Sequence, residues 1–453
     1  MNESDLDVWL YGTRVAELTE ERPGRIALSW TPDAQARWGR GARVLSAKLT
    51  IGETPVPPLV TAYLDGLLPE GNARANHSLA AGVPADDTFA LIRVYGRDTP
   101  GAAIFVPQGA PDPTRAGAYQ PLTDAEVAER LRRADVYQPA SPTRTTESST
   151  LPGMVPKITL HRADGQWYAC TDGAPSTWIL KRGAASDSPV ADVVDTEVAS
   201  LTIARMIGLT TIDAEIVDFG DVRAIAVSRY DRGPDNLRIH QEDLAQATGL
   251  NTADPLRKFQ WGKQVPTLAQ AAEVLQLDGG KPDPLLAQVT FSFLVGNTDM
   301  HAKNVSFLRY DDGSVALTPA YDVAMHLHHP RHERRIALDL NGVCQVDALT
   351  VEDVIAEGTT WGLPERRARR VVTETVAAVA VALATIDRSE HPGVTAAAWD
   401  VVTSRTSAAS QQLERRSGLG AADPTATPST AAGQVRTSTA PPGRGRRGPR
   451  RPR

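Results

Sequence analysis

The 453-residue chain is predicted to be an α+β protein with two lobes. Three observations lead there. Short apolar alternations with a period of two dominate as far as residue 228, apolar residues at helical spacing dominate from Gln241 onward, and a polar loop flanked by apolar runs lies within the helical part.

Composition bounds the alternatives. A hydrophobic content of 41% and a charged content of 23% suit a soluble globular protein and exclude fibrous and membrane classes. The longest apolar run, residues 376–386, falls well short of the roughly 20 residues needed to span a bilayer. The acidic start lacks the basic and apolar regions of a signal peptide, so export is not expected. Cys170 and Cys344 are far apart and in no ligand spacing, which argues against a disulfide framework or zinc and for a reducing, cytoplasmic setting. The net charge of -6 is uneven: from Ser417 on, seven arginines stand against Asp423, about +6, leaving the body near -12.

Taken in order, residues 8–11, 15–18 and 26–30 read as strands and 60–68 as a helix. Residues 95–101 hold turn residues, 124–134 are helical, and the Pro/Ser/Thr-rich residues 138–149 read as a linker. A small-residue loop around Gly153 follows, then strands at 165–169 and 177–181, the second ending on Lys181. A lysine that ends an apolar strand needs an anion or solvent; most simply snorkel. Residues 192–206 read as a helix that places Glu197 either opposite Lys181 or on the surface. Strands at 213–218 and 223–228 lead to a hinge at Arg229 to Arg232. Helices are expected at 242–248, 268–277, 284–296, 351–358, 365–388 and 396–415, and the rest should be disordered.

The polar loop carries the chemistry. Asp299 and Asn304 stand five positions apart. That is the offset of a phosphoryl-transfer loop in which an aspartate takes the attacking hydroxyl's proton and an asparagine holds a metal ion. Strand, turn and strand over residues 305–318 return the chain to Asp322, a second metal ligand in that reading. One such spacing alone is weak evidence; the hairpin and the placed aspartate favour the chemistry over an ordinary solvated loop.

Residues 63–71 and 95–102, Arg229 to Arg232, His240 to Asp243, and 298–304 with 318–322 resemble the HipA-type bacterial serine/threonine kinase toxins. The resemblance reaches to about Arg415. It implies a protein-kinase-like fold divided into an N-terminal α/β subdomain at 1–110, a helix and linker at 111–149, a strand-rich nucleotide-binding N-lobe at 150–230, a helical C-lobe at 231–416 and a basic tail at 417–453. It further implies ATP- and Mg²⁺-dependent phosphorylation of a protein serine or threonine, with Asp299 as base and Asn304 and Asp322 as metal ligands. Nucleotide contacts would come from Pro152, Gly153, Met154, Val155, Pro156, Lys157, Lys181, Ser228, Arg229, Tyr230, His301, Ala302, Lys303, Asn304 and Asp322. Thr150 matches the family's self-phosphorylated serine. A helix-turn-helix antitoxin would be the partner, DNA being met mainly through it, and a translation factor a possible type of target, with no membrane role.

Two departures, Pro152 for alanine and Val155 for glutamine, open an alternative: a weakly active or inactive nucleotide-binding corepressor subunit. Arg366, Arg367, Arg369 and Arg370 raise direct DNA contact, against a solvated helix face. His326, His328, His329 and His332 have no carboxylate or cysteine at ligand spacing, so a polar loop is expected there.

Overall fold

The computed structural model describes residues 5–135, 150–152, 157–184, 188, 190–261 and 266–419. Residues Met1–Leu413 form one compact unit; the second, Glu414–Arg453, is described only to the end of its helix at Leu419. The expected linker, the Gly153 to Pro156 part of the phosphate loop and most of the basic tail lie outside the described residues.

The first layer is an antiparallel sheet built on β1 (Leu6–Leu10), β2 (Thr13–Arg22), β3 (Arg25–Trp30) and β4 (Ile104–Pro107), in the order β3-β2-β1-β4. Between β3 and β4 run α1 (Pro32–Trp38), α2 (Pro57–Gly66), α3 (Gly71–Ala81) and α4 (Thr88–Tyr95). Leu6, Val8 and Leu10 of β1 pack with Val60, Leu64 and Leu67 around α2 in one core. Each such side chain contributes roughly 1.5–3 kcal/mol on burial.

The second sheet has six strands in the order β5-β7-β6-β8-β10-β9. They are β5 (Ala118–Leu122), β6 (Lys157–Ala163), β7 (Gln166–Thr171), β8 (Trp178–Arg182), β9 (Ala214–Phe219) and β10 (Val222–Ser228). Helix α5 (Asp124–Asp135) packs on one face through Val127, Ala128 and Leu131, and α6 (Val193–Met206) packs through Val194, Val198 and Leu201 against Ile225 and Val227. The expected division at 111–149 therefore changes. Residues 118–135 supply an edge strand and a covering helix to this sheet, because Tyr119 and Pro121 pair with Cys170 and Tyr168.

The helical lobe follows, with α7 (Leu244–Thr248), α8 (Leu268–Leu277), α9 (Asp283–Val295), α10 (Val351–Thr360), α11 (Glu365–Thr385) and α12 (Ala396–Leu419). Residues 240–243, which the sequence assigns partly to a helix, instead form β11 (His240–Asp243), paired with β12 (Ser306–Arg309), which pairs in turn with β13 (Val315–Leu317). A two-stranded ribbon, β14 (Arg335–Leu340) and β15 (Val343–Gln345), completes the lobe. Helix α9 is apolar on nearly every side and buried accordingly, with Leu285, Leu286, Phe291 and Leu294 inaccessible to solvent. It ends at Gly296 in the left-handed conformation, φ 72°. No described helix is long and apolar enough to cross a membrane.

Candidate active site

Gly296 turns the chain out of the α9 core into the polar loop, and backbone bonds then fix that loop from both sides. Asn297 N–H bonds back to Ser292 at 2.9 Å, closing the helix end. Asn297 Oδ1 accepts from Asp299 N at 3.1 Å, an Asx turn that sets the direction of the aspartate. Ala302 N donates to Lys258 O at 3.0 Å, and Leu244 N is shared between the carbonyls of Ala302 and Val305. Asn304 Nδ2 donates to Asp299 O at 2.9 Å, which orients the amide so that its oxygen is the atom left for a cation.

The hairpin behaves as its turn chemistry predicts. Phe307 pairs with Leu317, Ser314 N caps onto Asp312, and Thr318 N returns to Ser306 O at 3.0 Å. Tyr321 OH then bonds Lys303 O at 2.7 Å and meets Ser306 Oγ at 2.6 Å. Asp322 follows at φ 54°, a left-handed backbone unusual for a non-glycine residue and held here by those neighbours.

Lys181 is the penultimate residue of β8, beneath this loop. Its ammonium lies 2.8 Å from Glu197 Oε1 on α6 and also bonds the Asp322 carboxylate. Of the two readings open for Glu197, the paired one holds. Burial alone would lower the lysine's pKa; the two carboxylates outweigh it and raise it above its ordinary value. Burial likewise opposes ionisation of Asp322, but Lys181 overrides it and holds the carboxyl low. Asp299 shifts the other way. Desolvation in the cleft, and then the Asp322 charge, raise its pKa. A raised aspartate is a better proton acceptor than an ordinary one.

These groups line an open cleft of about 270 Å³ between the six-stranded sheet and the helical lobe. Ile179, Ile212 and Val227 give it an apolar wall, and Tyr230 and Tyr321 close one side with ring centroids 5.3 Å apart. The described donors fit a hard cation: one carboxylate and one amide oxygen, both preferred by Mg²⁺.

The remaining predicted contacts divide. Pro152 lines the cleft and its carbonyl accepts from Lys157 Nζ at 2.8 Å. Lys157 pairs across the sheet with Lys181, and burial followed by that like charge lowers it to about 8. Ser228, Arg229 and Tyr230 reach the cleft, yet the N–H groups of Ser228 and Arg229 are committed to Asp213 O and Thr177 O at 2.8 Å each. The Arg229 guanidinium points elsewhere, to Asp231, Ser176 and Thr99 O. His301 lines the cleft as a neutral imidazole, lowered to about 3 first by burial and then by Lys258. Lys303 reaches the cleft too, but its ammonium is fixed by Asp243 at 2.9 Å and Gly66 O at 3.1 Å. Ala302 is fully buried and serves through its backbone. Thr150 is 2% exposed, with its hydroxyl donating to Leu67 O at 3.1 Å, so this conformation withholds it from phosphorylation.

Sequence reasoning missed Glu70 and Lys258. Lys258 Nζ lies 2.9 Å from Glu70 Oε2, beside Asp299 in the cleft. Of the four arginines considered for DNA, Arg367 is paired with Asp283 and Arg369 with Glu352 and Glu365, which favours the solvated-face reading for those two.

Residues 149–383 match the HipA-like C-terminal domain and residues 6–106 the HipA N-terminal domain. The "Putative kinase Y4dM" of Sinorhizobium fredii is 28% identical over 82% of this chain and 89% of its own length. The "Serine/threonine-protein kinase toxin HipA" of Shewanella oneidensis is 27% identical over 85% of this chain and 91% of its own. A solved structure of the Shewanella oneidensis HipA, HipB and operator DNA complex aligns with a TM-score of 0.72 at 23% identity, covering 91% of this chain and 97% of that one.

Proposed function

The chain belongs to the HipA family, and from that premise we propose that it is an ATP- and Mg²⁺-dependent kinase of protein serine or threonine residues, acting as a toxin in the cytoplasm. The observation that carries this reading is the convergence of Lys181, Glu197, Asp299, Asn304 and Asp322 in one cleft. In this assignment Asp299 takes the proton of the acceptor hydroxyl as its oxygen bonds phosphorus and the bond from phosphorus to the ADP oxygen breaks. Asn304 and Asp322 would hold Mg²⁺, whose charge, when bound, would offset that of the phosphates. Lys181 is positioned by Glu197 for the nucleotide phosphates, and Lys258, beside Asp299, counters negative charge on the transferring group. Pro152 and Lys157 lie on the phosphate side in this assignment, and Ile179 and Val227 flank the base.

A small helix-turn-helix antitoxin is proposed as the partner, with DNA reached through it. The support is the HipB and operator DNA named with the structural relative. Thr150 remains the proposed self-phosphorylation position, which requires prior release of its buried hydroxyl. Phosphoproteomics after induced expression tests the assignment: new phosphoserine or phosphothreonine sites should appear with the wild type and not with Asp322→Asn. Identical site lists from the two would remove it. Nucleotide binding without any new site would favour the corepressor reading.

A further inference from the structure

The four histidines between 326 and 332 have no carboxylate at ligand spacing in the sequence, but the fold supplies one. Asp192, at the N-terminus of α6, meets His328 Nε2 at 2.8 Å through one oxygen and His329 Nε2 at 3.0 Å through the other. The three ligand atoms lie within 4.8 Å of one another. The side chains are 14%, 5% and 13% exposed, so the cluster is largely withdrawn from water.

We infer that Asp192, His328 and His329 form a binding site for a divalent transition-metal ion of the Zn²⁺ type, distinct from the Mg²⁺ ligands Asn304 and Asp322. Two imidazoles and one carboxylate are the donor set of three-ligand zinc and related sites, with a position left for water. Donors this close can all reach an ion at roughly 2.0–2.2 Å. Mg²⁺ prefers an all-oxygen shell, so the ligand types select against the ion expected in the cleft.

Two further observations separate this cluster from a simple hydrogen-bonded pair. His329 Nε2 and Asp192 Oδ1 are both buried and meet at 3.0 Å without the alignment of a well-formed hydrogen bond. An ion between them would satisfy both. The ligands are also held independently of any ion. Thr196 N bonds the Asp192 carbonyl at 2.9 Å, His329 N bonds His326 O at 3.1 Å, and the His326 ring accepts from Thr298 N at 3.2 Å. Preorganised ligands lose little freedom on binding. The ion would tie the start of the helix that carries Glu197 to the segment following Asp322.

Isothermal titration of the EDTA-stripped full chain with Zn²⁺ in excess Mg²⁺ tests the site. One equivalent should bind, and His328→Gln and His329→Gln should each weaken it at least tenfold, whereas His326→Gln should leave it unchanged. Asp192→Asn, nearly isosteric, should weaken it as well and covers the case in which a histidine variant fails to fold. Co²⁺ in place of Zn²⁺ should give visible ligand-field bands that vanish in the same variants. Absence of stoichiometric Zn²⁺ binding overturns the site, as does affinity unchanged in the His328, His329 and Asp192 variants, or affinity lost through His326 alone. The histidines would then be hydrogen-bond partners of Asp192 only.

Discussion

Glu70 Oε2 lies 2.9 Å from Lys258 Nζ, although the two residues are 188 positions apart in the chain. Glu70 belongs to the turn before α3, in the N-terminal layer, and Lys258 lines the cleft beside Asp299. The same carboxylate lies 3.9 Å from Lys303 within the polar loop. The first sheet and its helices thus reach the site through this buried carboxylate as well as through Gly66 O. Glu70→Gln should leave two buried ammonium groups short of a counter-charge. Breaking a buried pair in this way costs on the order of 3 kcal/mol. Denaturant melts should show the loss, with kcat falling as Lys258 moves; wild-type stability and kcat together would remove Glu70 from this role.

Glu197 offers a cleaner separation of structure from activity. Lys181 keeps its bond to Asp322 when Glu197 is lost, so Glu197→Gln should fold. The lysine would no longer be held toward the phosphates, and kcat/KM for ATP should drop by about 100-fold, or about 2.7 kcal/mol in the transition state. Steady-state kinetics with a nucleotide-analogue binding control checks this. Unchanged kinetics would make the pair structural.

Acid should loosen the join between the N-terminal layer and the hinge. Asp98 and Asp231 are buried among Arg229, Arg232 and Arg238. Burial by itself would raise Asp231, but Arg229 and Arg232 outweigh it and lower it from 3.8 to about 2; Asp98 shifts the same way. A depressed folded-state pKa means stabilisation that is complete above the unfolded value, near 4, and is lost as pH falls toward 2. Asp231 alone accounts for roughly 2 kcal/mol over that window. Thermal melts between pH 6 and about 2 should fall steeply below pH 4 in the wild type and less steeply in Asp231→Asn. Parallel curves would contradict the assignment.

Gly101 sits in the same join at φ 83°, where an added Cβ would come 2.7 Å from Gln241 N and 2.8 Å from the His240 ring. Its N–H donates to Asp231 at 2.6 Å. Gly101→Ala should therefore cost more than the roughly 1 kcal/mol of backbone strain alone, because β11 must also move. A melting temperature within a degree of wild type would show that the join is softer than its spacing implies.

The convergence of the cleft residues was legible in the sequence because most of it is local. Asp299, Asn304 and Asp322 lie on one loop and one hairpin whose turn residues dictate the return, and Lys181 and Glu197 follow from a strand end and the capped helix after it. Long-range pairing was not legible. Ala118–Leu122 joins the sheet only through β7, about fifty residues on, so the Pro/Ser/Thr-rich stretch after it read as a boundary. At His240–Asp243 the pattern predicts helix in part, whereas the strand there depends on pairing with β12. The capping box of Asp243 and Gln246 marks the true helix start and is a signal the sequence did contain. Glu70 and Asp192 had no such signal: each is a single carboxylate whose partners are more than 130 positions away.

The role proposed for Asp299 is that of base for phosphoryl transfer in this cleft. Its most direct test is transfer of the γ-phosphoryl group from labelled ATP, with Mg²⁺, to proteins of a cell lysate by the purified full chain and by Asp299→Asn. Transfer by the wild type, reduced at least about 100-fold in Asp299→Asn with nucleotide binding retained, is the expected result. Equal transfer by the two proteins would contradict it.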